Sequence, residues 1–473
     1  MVFSSVEFLF RFLPIFLVIY FLAKPEYRNV VLLLGSLFFY AYGEPVYVLL
    51  MIGSIAINYV ISMQIYRLQL NERGGRDTKT KQKLWLAASM VGNFGVLFLF
   101  KYLNFFIEIL NGLIGFECFK QAALTLPLGI SFYTFQIASY LVDVYRKKYR
   151  PDGKLLGFAT YVCMFPQLIA GPIVNYGEVE EQLKKRKVDF ARIEQGTVIF
   201  IVGLAYKVLL ANKIVSLWND VQTVGAYGIN TPTAWLGSWG YSMQIYFDFF
   251  GYSLMAIGLG KILGFHFPDN FVNPYCSKSA TEFWRRWHIT LGRWFREYVY
   301  IPLGGNRKGT VRMIFNTLVV WALTGLWHGA NWNFIIWGLF FFVVLMIEKL
   351  FLLKYLDRSR VVGHVYMLVL IPISWTIFNI TDLSALGLYL RRMCGLPIAG
   401  SVVANGAFRF MQLLQTYWWL LGICAFCCTP IPMKLVKKYH QTWICKTVIL
   451  LLFWLSVYQL MQGGDNPFLY FRF

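Results

Sequence analysis

Two histidines in this sequence have the chemistry and the surroundings of catalytic side chains, and the first of them is His328. It ends the apolar run 311–328 and lies 16 residues beyond Arg312, roughly 24 Å along an α-helix. That distance puts the imidazole inside the hydrocarbon layer, where an ionisable residue is a functional candidate by default. Histidine can take up and return a proton near neutral pH, as general-base catalysis requires. Gly329 and Ala330 favour a catalytic role for His328, since small residues leave room for a ligand and permit a helix break. The alternative is a histidine whose ring is hydrogen-bonded to a neighbouring carbonyl.

The second histidine, His288, lies in the basic and aromatic segment 282–296. At about 100° per residue, the arginines of this segment share one helix face and the large apolar side chains share another. We therefore predict one amphipathic helix at the cytoplasmic membrane surface, with His288 on the border between its faces. One interpretation is that the arginines only supply the basic face that such a helix needs. The other is that they also hold the phosphates of a soluble donor. For His288 the alternative is an interfacial residue without a chemical role. The arginines are Arg285, Arg286, Arg293 and Arg296.

The composition indicates that lipid surrounds these residues. Of the 473 residues, 58% are hydrophobic and 14% are charged, whereas a soluble domain has roughly 25% charged residues. This excludes an ordinary soluble protein, a disordered chain and a coiled coil. We predict an all-α polytopic membrane protein with about eleven to thirteen transmembrane helices plus re-entrant or interfacial helices. The apolar segments lie at 7–23, 30–43, 45–66, 84–101, 103–116, 124–145, 156–175, 194–212, 233–262, 311–328, 332–353, 363–381, 408–428 and 441–461.

The charge balance orients the chain in the membrane. Lys and Arg number 44 against 23 Asp and Glu, and basic loops at 67–83, 146–154 and 184–192 belong in the cytoplasm by the positive-inside rule. Three segments precede the first of these loops, so we expect the N-terminus outside, and an even total of crossings puts the C-terminus outside as well. The same charge attracts an anionic cytoplasmic substrate, and we expect no nucleic-acid partner. No H-E-x-x-H or equivalent ligand spacing occurs, so we predict no metal site.

Several motifs together resemble the bacterial membrane-bound O-acyltransferase family. The resemblance is greatest to the branch of the alginate O-acetyltransferase membrane subunit and weaker to the membrane protein of D-alanyl transfer to teichoic acid. It covers nearly the whole chain, and as a set the motifs are specific. They are Phe283-Trp-Arg-Arg-Trp-His288, Tyr300-Ile-Pro-Leu-Gly-Gly-Asn306-Arg-Lys308, Leu326-Trp-His328-Gly-Ala-Asn-Trp-Asn333, Pro127-Leu-Gly-Ile-Ser-Phe-Tyr-Thr-Phe-Gln136, Tyr140-Leu-Val-Asp-Val-Tyr145, Phe165-Pro-Gln-Leu-Ile-Ala-Gly-Pro172 and Tyr246-Phe-Asp-Phe249.

The resemblance implies a single domain over residues 1–473, with its helices in a ring around a central tunnel, in a bacterial inner membrane. It implies that both histidines matter for catalysis. It also implies transfer of an acyl group, usually acetyl from the co-substrate acetyl-CoA, to hydroxyl groups of an extracellular polysaccharide, with no bound cofactor. The implied partners are an SGNH-type extracellular acyltransferase, polysaccharide synthesis and export machinery, acyl-CoA or an acyl carrier protein, and membrane lipid. Within the motifs, the candidates for lining the tunnel are Trp327, Asn331, Asp248 and Gln136.

The C-terminal segment 441–473 combines a helix with an aromatic tail. Its end, Phe468-x-Tyr470-x-x-Phe473, resembles a C-terminal motif of this family's exporters or of their small partner subunits, whose tyrosine is thought to carry the acyl group. A phenol hydroxyl can form an ester, and a chain terminus has the freedom to reach a tunnel. We expect Tyr470 to carry the acyl group, with docking of the tail as the alternative.

Two other functions stay open. The alginate-type pattern usually continues Ser-Gly-Tyr-Ser-Asp after Tyr-Phe-Asp-Phe, whereas this chain continues Phe250-Gly-Tyr-Ser-Leu254, and Leu254 is closer to the D-alanyl branch. D-alanine on an acidic carrier protein suits the basic cytoplasmic face equally well. The alternative from another class is a proton-coupled transporter with membrane histidines as relays. Against it, the sequence shows no internal repeat and no paired broken helices.

Overall fold

The computed structural model of the chain describes residues 1–75, 77–151, 153–169, 171–403 and 405–463. Within these ranges the regular secondary structure is helical and includes no strand, which confirms the predicted all-α class. Eight of the described helices are long and apolar enough to cross a membrane, and two further apolar helices are shorter. The chain is therefore a multi-pass membrane protein. The count by helix length is lower than the eleven to thirteen crossings that the sequence predicts, and the ring around a tunnel stays a prediction.

Helices alternate with short loops along the described chain. Short π-helical segments lie at Phe8–Phe12, Tyr206–Ala211, Arg296–Tyr300 and Glu348–Leu352, and short 3₁₀ segments lie at Pro25–Tyr27 and Pro274–Cys276. The α-helices are α1 (Leu13–Leu22), α2 (Arg28–Gly43), α3 (Tyr47–Arg73), α4 (Lys79–Lys101), α5 (Leu103–Ile114), α6 (Ile130–Tyr145), α7 (Leu155–Cys163), α8 (Phe165–Leu168), α9 (Tyr176–Lys184), α10 (Phe190–Ala205), α11 (Asn212–Gln222), α12 (Gly225–Gly228), α13 (Thr231–Ile262), α14 (Ala280–Arg286), α15 (Ile289–Phe295), α16 (Thr310–His328), α17 (Trp332–Ile347), α18 (Leu353–Leu356), α19 (Arg360–Asn379), α20 (Leu383–Met393), α21 (Gly406–Cys428), α22 (Ile431–Tyr439) and α23 (Trp443–Met461).

Two predicted apolar segments differ from the helices that form. The segment 156–175 is not one crossing helix, because it divides into α7 and α8 at Met164. Pro166 has no backbone N–H with which to continue α7, but it is tolerated in the first turn of a new helix. The Phe165 N–H donates to Ser36 Oγ at 3.1 Å instead of to a helix carbonyl. The segment 124–145 becomes helical only from α6 onward, since Gly129 adopts left-handed angles immediately before that helix (φ 72°).

The described contacts divide the chain into two compact units, residues 1–200 with 255–268, and residues 201–254 with 269 onward. The single domain over 1–473 stays a prediction. In the first unit, α6 is buried on almost every face, as expected for a helix with little polar surface. Its side chains pack beside α3, α4 and α7.

The second unit contains both histidines, and its α16 and α17 form a closely packed hairpin. A Cβ atom at Gly325 would lie 2.4 Å from the Phe334 carbonyl oxygen, and one at Gly338 would lie 2.4 Å from the Trp321 carbonyl oxygen. Only glycine permits such an approach of two helix backbones. This packing fixes the end of α16, where His328 lies.

Candidate active site

His288 lies at a break between two short helices. α14 ends at Arg286, and His288 adopts left-handed angles (φ 45°, ψ 52°) directly before α15. The backbone on both sides of the break pairs with a preceding loop. The Val272 N–H donates to the Arg286 carbonyl at 2.9 Å, and the Ile289 N–H donates to the Asn270 carbonyl at 3.0 Å. The prediction of one continuous amphipathic helix across this segment is therefore wrong, because these loop contacts replace the hydrogen bonds that would continue α14.

The contacts of Asn270 set the tautomer of His288. The Asn270 Oδ1 atom accepts hydrogen bonds from Thr290 Oγ1 at 2.9 Å and from the Thr290 backbone N–H at 3.4 Å. A backbone N–H can only donate, so the amide oxygen rather than the amide nitrogen faces this group. His288 Nδ1 lies 3.1 Å from the same oxygen and must therefore donate to it. In the neutral ring this leaves the lone pair of Nε2 unprotonated.

His288 is held in its neutral form. Its side chain is 2% exposed, and its ring stands edge-on to Phe249 with centroids 4.8 Å apart. His288 lies outside the helices that are long enough to cross a membrane. Burial lowers the pKa of its imidazole to about 3, because the charged ring would lose its hydration. The buried Nε2 atom has no hydrogen-bond partner among the residues that the structure describes, so it can accept a hydrogen bond from a substrate group.

His328 is the last residue of α16. The helix ends because Gly329 is extended (φ −173°, ψ 157°), which confirms the predicted break. The predicted space for a ligand beside Gly329 is wrong, since a Cβ atom there would lie 2.2 Å from the ring of Phe334. The His328 side chain is 7% exposed. Its ring stands edge-on to those of Trp337 and Phe378, with centroids 5.0 Å and 5.2 Å away, so aromatic rings shield it from water.

The indole of Trp327 contacts both histidines. Its centroid lies 5.8 Å from that of His288 and 5.0 Å from that of His328, and its side chain is 3% exposed. The structure thus brings together three of the predicted site residues. Both imidazoles therefore pack against the same indole, in surroundings that strengthen electrostatic interactions because they exclude water.

Sequence reasoning missed two residues that position this site, Asn270 and Glu348. The Glu348 carboxylate is fully buried and accepts hydrogen bonds from the backbone N–H groups of Ala280 and Thr281, at 2.6 Å and 2.8 Å. It therefore caps the first turn of α14, the helix that leads to His288. The sequence feature that could have identified Glu348 is a carboxylate at the end of an apolar run. No such feature identifies Asn270, since its contact with His288 depends on how the loop folds back.

The four arginines do not lie on one continuous helix, because the break at His288 separates α14 from α15. Arg285 and Arg296 are exposed. Arg286 forms an ion pair with Glu282, and Arg293 is half-buried on α15. Of the four, Arg285 and Arg296 are therefore the most accessible to the phosphates of a soluble donor.

Two of the proposed tunnel-lining residues have structural contacts of their own. The Asn331 side chain accepts a hydrogen bond from the Asn333 N–H and caps α17. Asp248 forms an ion pair with Lys207, with Oδ1 and Nζ 2.5 Å apart, and both side chains are almost fully buried. These contacts explain both residues without a tunnel.

The remaining candidates are placed separately. Gln136 is fully buried on α6 in the first unit, and its side-chain amide has no hydrogen-bond partner among the described residues; its tunnel role stays a prediction. Tyr470 lies outside the described residues. Within the described part of the chain, no group of three His, Cys, Asp or Glu side chains could hold a metal ion, and the eight cysteines are free thiols.

Comparison with known proteins agrees with the motifs. Residues 147–378, which include both histidines, match the membrane-bound O-acyltransferase (MBOAT) family. The probable alginate O-acetylase AlgI of Pseudomonas putida is 37% identical and aligns over 100% of both chains. The peptidoglycan O-acetyltransferase of Helicobacter pylori is 31% identical over 100% of this chain and 98% of its own. The teichoic acid D-alanyltransferase of Bacillus subtilis is 31% identical over 47% of this chain and 59% of its own. The chain therefore belongs to the membrane-bound O-acyltransferase family.

Proposed function

We propose that this membrane O-acyltransferase transfers acetyl groups from a cytoplasmic thioester to a cell-envelope polysaccharide. The relatives that align over the full chain are an alginate O-acetylase and a peptidoglycan O-acetyltransferase. The teichoic acid D-alanyltransferases align with less than half of the chain, so their donor is the less favoured alternative. Membership in an acyltransferase family also favours an enzyme over a proton-coupled transporter.

The observation that carries the mechanism is the contact of both imidazoles with Trp327. His328 acts as the general base and takes the proton of the acceptor hydroxyl as its oxygen attacks the thioester carbonyl carbon. The C–S bond then breaks, and the proton passes from His328 to the departing thiolate. His288 accepts a hydrogen bond at Nε2 and orients the reacting group. A histidine base supplies about 10²–10⁴-fold acceleration, and alignment in the dry aromatic site supplies the rest.

The donor is acetyl-CoA, whose phosphates the accessible Arg285 and Arg296 attract at the cytoplasmic face. Tyr470 receives the acetyl group as an ester and presents it to an extracellular SGNH-type acyltransferase that works with polysaccharide synthesis and export machinery. In this proposal the protein lies in a bacterial inner membrane, with both termini outside.

Labelled donor tests this function. Proteoliposomes that receive radiolabelled acetyl-CoA should release CoA and gain an acetyl group on the C-terminal peptide, as intact-mass analysis would show. A Tyr470→Phe protein should lack the label on that peptide. CoA release without a labelled peptide would limit the tail to docking. Activity with D-alanyl carrier protein but not with acetyl-CoA would change the donor, and substrate flux without CoA release would instead support a transporter.

The tautomer of His288 makes the pH profile sensitive to Asn270. With the pKa of His288 held at about 3 by burial, its protonation does not reduce the rate of the parent enzyme between about pH 5 and pH 8. In Asn270→Asp, a carboxylate beside Nδ1 raises the pKa of His288, because it stabilises the charged ring. The fraction of His288 with an unprotonated Nε2 then decreases as the pH falls through the raised pKa. We therefore expect kcat/KM of this variant to decrease toward acidic pH, which gives its pH profile an acid limb.

Initial rates of acetyl transfer across this pH range measure the effect. Asn270→Ala should lower kcat by up to about tenfold without creating the acid limb, since it removes one hydrogen bond that orients the ring and adds no charge. Identical pH profiles for parent and Asn270→Asp would remove Asn270 from its positioning role.

A further inference from the structure

A basic cavity of about 510 Å³ lies in the first unit, on residues that the acyl-transfer mechanism does not use. It forms where the loop after α9 meets the start of α10 and the turn that follows α13. The lining side chains carry five Lys and Arg charges and one carboxylate. The lining residues are Glu181, Gln182, Lys185, Arg186, Lys187, Arg192, Gln195, Lys261, Gly264, Phe265 and His266.

Arg186 forms the fixed part of this cavity. Its Nε donates to the Tyr20 hydroxyl at 2.8 Å, and its Nη1 donates to Asn29 Oδ1 at 2.6 Å. Its guanidinium carbon lies 4.6 Å from the centre of the Phe265 ring. The remaining Nη2 is buried and has no hydrogen-bond partner among the described residues. One guanidinium edge is thus held in place, and a donor is left for an acceptor group.

The part of the cavity wall beside the arginine is also shaped by specific contacts. Gly264 has a positive φ of 88°, and a Cβ atom there would lie 2.9 Å from Val188 and 3.1 Å from the Lys187 carbonyl oxygen. The Gln182 side chain accepts a hydrogen bond from the His266 N–H at 2.7 Å. The close backbone approach at Gly264 and the hydrogen-bonded turn at His266 therefore hold the basic side chains around one cavity. This arrangement differs from that of lysines scattered over a surface.

The cavity lies at the end of a membrane-crossing helix. α10 begins the long apolar helical stretch Phe190–Gln222, and Lys185 and Lys187 belong to the basic loop that precedes it. A positive loop next to such a helix lies at the level of the lipid headgroups on the cytoplasmic side. There it meets anionic lipid as well as soluble cytoplasmic anions.

We propose that this cavity is a binding site for a phosphate-bearing group. Arginine pairs with phosphate oxygens through its planar donors, and the lysines add point charges around them. The exposed ends of Lys185 and Lys187 allow the group to enter from the cytoplasmic side. The phosphate belongs to an anionic lipid headgroup or to a soluble coenzyme, and these two sources share the same recognition chemistry.

Binding measurements on the purified full-length protein test the proposal. The probes are coenzyme A for the soluble source and short-chain phosphatidylglycerol for the lipid source, each titrated against the protein in neutral detergent, with phosphatidylcholine as the uncharged reference. The variant Lys185→Gln/Lys187→Gln/Lys261→Gln leaves Arg186 and its structural contacts in place. It should weaken binding of the recognised probe by roughly tenfold or more.

The matched control is Lys434→Gln/Lys437→Gln/Lys438→Gln, which removes the same charge from exposed positions of α22. This control should bind like the parent protein. A larger loss for coenzyme A identifies the soluble source, and a larger loss for phosphatidylglycerol identifies the lipid source. The proposal is overturned if neither probe binds the parent protein, or if both triple variants bind equally well. A loss confined to the Lys185/Lys187/Lys261 variant concerns this cavity alone, since that variant leaves Arg285 and Arg296 unchanged, and release of CoA from labelled donor tests the acetyl-transfer proposal separately.

Discussion

Replacing His328 with alanine should lower the rate of acetyl transfer by about 10³-fold, within the range that a general base contributes. The variant removes the only proton acceptor that the proposed mechanism assigns to the attacking hydroxyl. It leaves the neighbouring rings of Trp327, Trp337 and Phe378 in place, so substrate should still bind. CoA release and polymer acetylation, measured at saturating donor, should therefore show the loss in kcat and little change in KM.

Two further variants separate chemistry from packing. His328→Gln retains most of the side-chain volume among the aromatic rings but cannot act as a base near neutral pH, so it should be as inactive as the alanine variant. His364→Ala changes an exposed histidine on α19 and should retain the parental rate. If His328→Ala acetylated polymer at the normal rate, the assignment of the general base would be wrong.

Replacing Asp248 with alanine should lower the free energy of unfolding by about 3–5 kcal/mol, because it leaves the Lys207 charge buried without its carboxylate partner. The two charged atoms lie 2.5 Å apart, and the side chains are only 1% and 3% exposed. A Cβ atom at Gly251 would lie 2.9 Å from the Lys207 N, so the backbone around the pair is closely packed and has little room to admit water. Thermal unfolding of the purified protein in detergent measures the loss.

The double variant Lys207→Met/Asp248→Leu should recover most of this stability, since it removes both charges and retains apolar volume. Glu180→Ala is the matched control, because it breaks the more exposed ion pair with Lys184 and should cost less than about 1 kcal/mol. If the double variant is stable and yet inactive, the charged pair of Lys207 and Asp248 also serves the reaction, in agreement with the tunnel role that the sequence predicts for Asp248. An unchanged unfolding temperature for Asp248→Ala would instead show that the pair does not stabilise the protein.

The sequence by itself determined the membrane class, the family and most helix positions. The predicted segment 311–328 is α16 and the predicted segment 408–428 is α21, to within two residues. This works because a helix in lipid must satisfy its own backbone hydrogen bonds over about 20 apolar residues, so its length and composition are local properties of the chain. His328 was also visible, since ionisable residues inside apolar membrane segments are rare, and His288 was visible within a basic and aromatic motif.

Only the tertiary structure decided the geometry of the site. The break at His288 exists because the loop around Asn270 accepts and donates the hydrogen bonds that would have continued α14. The same loop sets the tautomer of the imidazole. Phe334 fills the space beside Gly329 that the sequence suggested for a ligand, and Lys207 pairs with the carboxylate of Asp248. Each of these outcomes depends on groups far apart in sequence whose hydrogen bonds and charges must be satisfied when water is excluded. Residue types and local spacing do not encode such contacts, and for that reason they appear only when the chain is folded.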